Sequence, residues 1–151
     1  VVVCAAGNKG PGEGTLSPLG ESRRVITVGC HEGGYFGARK DLCENYSGRG
    51  REDLPYRKPD LVAPGTDVVS CNLTWYRDRR GVYRDPYTKK SGTSMATPIV
   101  SGAAALYLQK YPYSNSSQVK RQMIYTARDL GIEWNRQGWG MLDIQNLCRY
   151  Y

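Results

Sequence analysis

The stretch Ser91-Gly92-Thr93-Ser94-Met95-Ala96-Thr97-Pro98, continued by Ile99, Val100, Ala103, Ala104, Ala105, Leu106 and Leu108, joins an extended segment to an apolar helix. Gly92 permits the sharp bend between them. Proline is tolerated only near the start of a helix, so the helix is expected to begin at Thr97-Pro98 and to stop at Pro112. Its sequence is apolar nearly all round, which predicts a central, buried helix. Ser101, Gly102 and the three alanines let neighbouring backbone approach closely. A serine at the head of such a helix faces the positive end of the helix dipole and the free N–H groups of the first turn, where developing negative charge is stabilised. That is good placement for a nucleophile. Serine and threonine at a helix start also serve as plain N-caps, and the stretch by itself leaves both readings open.

Upstream of it lie three short β-branched runs. Val1–Ala6 reads as a strand covered on both faces, ended by the turn residues Gly7-Asn8-Lys9-Gly10-Pro11-Gly12. Val25-Ile26-Thr27-Val28-Gly29 is a second strand, and Pro59-Asp60-Leu61-Val62-Ala63-Pro64-Gly65 holds a third. Residues Thr66 to Leu73 and Tyr83 to Lys89 are expected to pair as a hairpin around Arg77–Gly81. Downstream, a second helix starts at a cap among Asn115, Ser116 and Ser117, with Val119, Met123, Ile124 and Ala127 as its apolar face. A short terminal element spans Met141 to Cys148. Strands ending in glycine-rich loops, followed by a buried helix, indicate one α/β domain over residues 1–151 with functional loops at the strand ends.

Bulk properties narrow the function. The 151 residues suffice for one hydrophobic core, and no stretch approaches the length of an apolar membrane span. The formal charge of +7 is scattered as pairs such as Arg23/Arg24, Arg39/Lys40 and Lys89/Lys90, which is the pattern of a solvated surface rather than a nucleic-acid footprint. Only Trp75–Arg84 interleaves cations with aromatics. Asp41, Glu44, Glu52 and Asp53 read as solvated loop charges. Five cysteines leave at least one thiol unpaired within the chain, and no CxxC spacing suggests a zinc site. Asn45-Tyr46-Ser47, Asn72-Leu73-Thr74 and Asn115-Ser116-Ser117 match the glycosylation acceptor pattern.

The Ser91–Pro98 stretch resembles the serine motif of the subtilisin family, and four further blocks agree with that family in order. Cys4-Ala5-Ala6-Gly7-Asn8 is similar to its strand and oxyanion-asparagine motif; Lys58-Pro59-Asp60-Leu61-Val62-Ala63-Pro64-Gly65 is similar to the segment leading into the substrate-side hairpin. Ser17-Pro18 with Val25–Gly29, and Gly138-Trp139-Gly140-Met141-Leu142-Asp143, also fit. The resemblance implies the C-terminal half of a subtilisin-like, doubly wound parallel α/β sheet, and a serine endopeptidase that cleaves peptides or proteins through an acyl-enzyme. Ser94 would be the nucleophile, and Asn8 with the Ser94 N–H the oxyanion hole. Ala5, Ala6, Gly7, Ser17, Pro18, Leu19, Gly92 and Thr93 would contact substrate.

Departures from the family matter as much. Its triad runs aspartate, histidine, serine along the chain, and both partners should precede the Asn8 block. His31, the only histidine, follows that block and reads as a surface or strand-end residue. Because the chain opens mid-strand, a fragment or processed chain is expected, with aspartate, histidine and a neighbouring half-sheet upstream. Alone, it should be inactive and prone to self-association. The alternative is an inactive peptide-binding scaffold of the same fold, which would lack the aspartate or histidine. No cofactor, nucleic acid or membrane partner is implied. Structural calcium is compatible with the intact protein, and the family slightly favours secretion.

Overall fold

The computed structural model describes residues 1–33 and 43–149, so Arg39, Lys40 and Asp41 lie outside the described residues. Three strands form a parallel sheet in the order β1 (Val3–Ala5), β2 (Ile26–His31), β3 (Leu61–Pro64). Val3 lies opposite Ile26 and Ala5 opposite Val28; Val28 in turn lies opposite Leu61 and His31 opposite Pro64. Within these residues β1 is an edge and only half-buried, whereas the sequence predicted cover on both faces. β2 is buried at every position, its polar Thr27 and His31 included.

The long helix α1 runs from Thr93 to Lys110, four residues earlier than expected, and Pro98 therefore lies inside it. The position is tolerated because the ring removes only the N–H that would have bonded the Ser94 carbonyl, at the exposed N-terminal end. The helix is not buried all round. Ala96, Val100, Ala103, Ala104 and Tyr107 pack on the sheet with Ile26, Val28, Leu61 and Ala63, while Ser101, Gly102, Ala105 and Leu106 face outward. An apolar composition hides this one-sided contact because alanine and glycine fit either face. Helix α2 (Ser116–Thr126) begins at the expected cap: Asn115 Oδ1 accepts from Gln118 N at 3.0 Å and Gln118 Oε1 accepts from Asn115 N at 2.8 Å, a reciprocal capping box. Val119 and Met123 join the same core as α1.

Two short helices follow, α3 (Trp134–Gln137), which the sequence did not suggest, and α4 (Ile144–Leu147), within the expected terminal element. α1, α2 and α4 make one helical layer on one sheet face; Cys43, Val62 and Met141 form a smaller cluster that packs with Leu130 and Ile132.

The single expected hairpin is two ladders. β4 (Val68–Cys71) pairs with β7 (Tyr87–Lys90), and β5 (Tyr76–Arg77) with β6 (Tyr83–Arg84). Between them the Asn72 side chain donates to the Asp85 carbonyl at 2.9 Å and its backbone N–H to the Pro86 carbonyl at 2.9 Å. Pro86 has no N–H to continue a ladder, so pairing breaks there.

Candidate active site

The C-terminal ends of parallel strands collect loops, and here they collect the residues singled out above. β1 ends at Ala5 and leads through Ala6 and Gly7 to Asn8. β3 ends at Pro64, and Gly65 takes the Gly92 N–H on its carbonyl at 2.8 Å. That bond ties the end of β3 to the start of α1. Gly92 has φ 146°, where a side chain would be strained, and a Cβ there would lie 3.3 Å from Asn8 Nδ2. The bend into α1 thus depends on Gly92 for both backbone freedom and clearance of Asn8.

Thr93 organises the site. It is fully buried, its N–H donates to Asn8 Oδ1 at 3.1 Å and its hydroxyl donates to the same oxygen at 2.9 Å. The hydroxyl also accepts the Gly7 N–H at 3.2 Å. A backbone N–H can only donate, so the atom facing it must be the amide oxygen of Asn8. With Oδ1 held, Asn8 Nδ2 is turned away from Thr93 with both its donors available.

The first turn of α1 supplies a second donor. Thr93 N goes to Asn8, while Met95 N and Ala96 N go to the Gly92 carbonyl at 2.9 and 3.4 Å. Among the described residues the Ser94 N–H has no acceptor, and its exposed hydroxyl has no partner. A free backbone donor at a helix N-terminus, a free amide donor on the adjoining loop and a hydroxyl in the same turn form an arrangement suited to an oxyanion next to a nucleophile.

The other expected substrate residues divide by burial. Ser17 is docked on the β1 end, its hydroxyl donating to the Ala5 carbonyl at 2.7 Å and its N–H to the Ala6 carbonyl at 2.7 Å. Pro18 and Leu19 stand exposed beside it, and Ala5 and Gly7 are partly open. Ala6, Gly92 and Thr93 are buried. Thr93 therefore lies behind Asn8, and its three hydrogen bonds to residues 85 and 86 positions away could not be read from the motif.

His31 is at a strand end, as expected, but it is buried, and its Nδ1 accepts the Gly33 N–H at 2.9 Å. That nitrogen is spent on its own loop and is not turned on Ser94. Glu44, expected as a solvated charge, instead accepts the Thr66 hydroxyl at 2.6 Å. Beside it the buried Cys30 thiol lies 3.2 Å from the Tyr46 hydroxyl. Burial pushes the Cys30 thiol up from its usual range and the Tyr46 phenol up to about 12. Among the described residues Cys4, Cys30, Cys71 and Cys148 form no disulfide.

At the opposite end of the strands is a cluster that the sequence did not disclose. Asp60 Oδ2 accepts from Lys58 Nζ at 2.7 Å and from Thr27 N at 2.7 Å, and Asp60 Oδ1 pairs with Lys120 Nζ at 2.8 Å. Lys58 also donates to Thr27 Oγ1 at 2.7 Å and the Val25 carbonyl at 3.2 Å; Lys120 also donates to the carbonyls of Arg23 and Val25 at 2.9 and 2.7 Å. Each ammonium makes three hydrogen bonds. Burial pulls the Lys58 amine below its usual value, against the opposing pull of Asp60.

Among the described residues no helix is long and apolar enough to cross a membrane. Residues 1–140 match the subtilase family. The chain is 39% identical over 126 residues to serine protease AprX of Bacillus subtilis, an alignment covering 80% of this chain and 28% of that protein. It is 34% identical over 148 residues to subtilisin DY of Bacillus licheniformis, covering 96% of this chain and 45% of that one. The solved structure of sphericase superimposes over 95% of this chain and 47% of its own, with a TM-score of 0.73 at 28% identity. The chain thus spans less than half the length of these relatives.

Proposed function

Because the chain belongs to the subtilase family, we propose that it carries the nucleophile and oxyanion hole of a serine endopeptidase whose histidine and aspartate lie elsewhere in the protein. The observation that carries the reading is the pair of unspent donors, Ser94 N–H and Asn8 Nδ2, held beside the Ser94 hydroxyl by Thr93. In this reading Ser94 Oγ attacks the scissile carbonyl and gives its proton to a histidine. The carbonyl oxygen takes up negative charge against the two donors. Collapse then expels the amine, which takes the proton from the histidine, and leaves an acyl-enzyme that water hydrolyses by the same route. The Ala5–Gly7 strand end and the Ser17–Leu19 loop beside it flank the substrate residue preceding the scissile bond.

His31, the only histidine, follows the Asn8 block instead of preceding it, and its Nδ1 accepts the Gly33 N–H, so the base is assigned to a histidine outside residues 1–151. A serine hydroxyl without a base is a weak nucleophile, so residues 1–151 alone are expected not to turn over peptides. Fluorophosphonate labelling decides the matter. The protein at its natural length should be labelled at Ser94 and the isolated 151 residues hardly at all. Labelling of the short chain at full efficiency would mean that a base has been overlooked, and absence of labelling in both would remove the endopeptidase reading.

A further inference from the structure

The segment between β3 and the serine turn carries more than is needed to join them. The outer ladder of β5 and β6 makes no extensive contact with the parallel sheet or α1, yet its side chains are ordered by one another. Asp78 Oδ1 accepts the N–H groups of Arg80 and Val82, both at 2.9 Å, and its Oδ2 pairs with Arg84 at 2.8 Å. These bonds hold the Asp78 carboxyl below its usual range, the Val82 N–H being the foremost cause. The Trp75 and Tyr83 rings meet at 5.4 Å, and the Arg77 guanidinium stacks 5.2 Å over Tyr83. The turn is therefore built rather than merely solvated, but what it presents is apolar and cationic. Leu73 is 96% exposed, and Trp75, Tyr76, Tyr83 and Tyr87 are each more than half exposed.

Charge is similarly unspent. Residues 66–92 hold six cations against three carboxylates. Asp78 is taken by the turn and by Arg84, and among the described residues Arg79, Arg80, Lys89 and Lys90 have no ion-pair partner. Tryptophan, tyrosine and arginine are the side chains that dominate binding hot spots, and a preordered arm has less conformational freedom to lose on binding. The base of the arm, Lys90, is four residues before Ser94. Seven residues separate Tyr83 from that base, a chain length of about 23 Å at roughly 3.3 Å per residue, shortened by the left-handed turn at Asp85 (φ 48°).

We propose that residues 72–90 form a docking arm for an acidic polypeptide segment carrying aromatic or apolar side chains, several residues from the bond to be cut. The carboxylates meet Arg79, Arg80 and the β7 lysines; the apolar side chains lie on Trp75 and Tyr83. The continuity of the arm with the serine turn favours a polypeptide over a nucleic acid. The proposal rests on the endopeptidase reading, which makes the occupant a substrate, but the docking itself is measurable without catalysis.

The test uses the protein at its natural length. A fluorescein-labelled glutamate–tyrosine copolymer is titrated by anisotropy against the parent, against the double variant Arg79→Glu, Arg80→Glu, and against Trp75→Ala. Dissociation constants should rise about tenfold or more in the double variant and several-fold in Trp75→Ala, and added salt should weaken the parent. A chromogenic tetrapeptide, too short to reach the arm, should be cut equally by all three. Arg79→Gln, Arg80→Gln, with an unshifted thermal melt, guards against a loss caused by misfolding and should still weaken copolymer binding. Equal binding of a lysine–tyrosine copolymer, or unchanged affinity in the variants, overturns the proposal. Single-stranded DNA bound more tightly, with the same variant sensitivity, overturns it too, in favour of a nucleic-acid surface. Failure of the parent to cut the tetrapeptide removes the protease reading and leaves the copolymer result to be judged on its own.

Discussion

Two polar clusters sit at opposite ends of the same three strands, and they differ in how far their hydrogen-bonding capacity is used. At the N-terminal end, Lys58 and Lys120 each make three hydrogen bonds around Asp60, whose two oxygens take both ammonium groups and the Thr27 N–H. At the C-terminal end, Thr93 saturates one side of Asn8 and leaves Nδ2, the Ser94 N–H and the Ser94 hydroxyl without partners among the described residues. Saturation is what a buried charge requires, because an unpaired one costs several kcal/mol. Unspent donors are affordable only where solvent or a ligand can reach them, and Ser94 and Asn8 are both exposed. The number of open hydrogen-bonding positions thus distinguishes the two clusters more sharply than the polarity of their residues.

The widest separation should come from Ser94→Ala. In the protein at its natural length, kcat should fall by on the order of 10⁶-fold, a magnitude taken from subtilisin itself, with the urea midpoint unmoved. Residual turnover within tenfold of the parent would detach Ser94 from the chemistry.

Asp60→Ala should do the reverse. It leaves the buried Lys58 ammonium, and the partly exposed Lys120 beside it, without a counter-charge, at about 3 kcal/mol of stability or somewhat more. Urea unfolding measures that loss, and fluorophosphonate labelling per folded molecule should stay at the parent level. A small change in the midpoint would mean that water reaches the lysines and that the cluster is not closed.

Asn8→Ala should lower kcat by about 10²–10³-fold, the loss of an oxyanion donor again known from subtilisin, with little effect on KM. Thr93→Val keeps the backbone bond to Asn8 but loses the hydroxyl, and should reduce kcat by up to about tenfold, since a neutral hydrogen bond contributes about 0.5–1.5 kcal/mol. Thr93→Ser should restore the rate. A KM effect with constant kcat would place Thr93 against the substrate instead of behind Asn8.

The smallest effect is on the alkaline limb of stability. Tyr46 titrates near 12 in the fold against an ordinary 10.0, so its contribution is fully present below pH 10 and is lost as pH rises through about 12. Cys30, raised from 9.0, acts in the same direction; Lys58, lowered from 10.5, acts in the opposite one. Tyr46→Phe should therefore lose less stability than the parent between pH 10 and 12, the Lys58 contribution cancelling in the comparison. Parallel urea midpoints for the two proteins over that range would show that the phenol is not held neutral.

Much of this architecture was legible from residue order. Short β-branched runs bounded by glycine or proline located β1, β2 and β3, and the Asn115 cap located α2, because each signal is local: a brief apolar run, a cap three residues from its partner; the Ser91–Pro98 stretch left nucleophile and cap both open until its resemblance to the subtilisin family singled out the serine. The same locality explains the misses. Pro98 suggested a later helix start, since the sequence alone does not reveal that the Ser94 carbonyl can go without its helical bond. Lys58, Asp60 and Lys120 are up to 62 positions apart, and nothing in their spacing predicts that one carboxylate will hold two lysines, one of them buried. The orientation of Asn8 belongs to the same class: the sequence supplied an amide and a threonine 85 residues away, but which amide atom faces out was decided only when parallel pairing of β1, β2 and β3 brought both to one strand end and the Thr93 N–H could donate only to the amide oxygen.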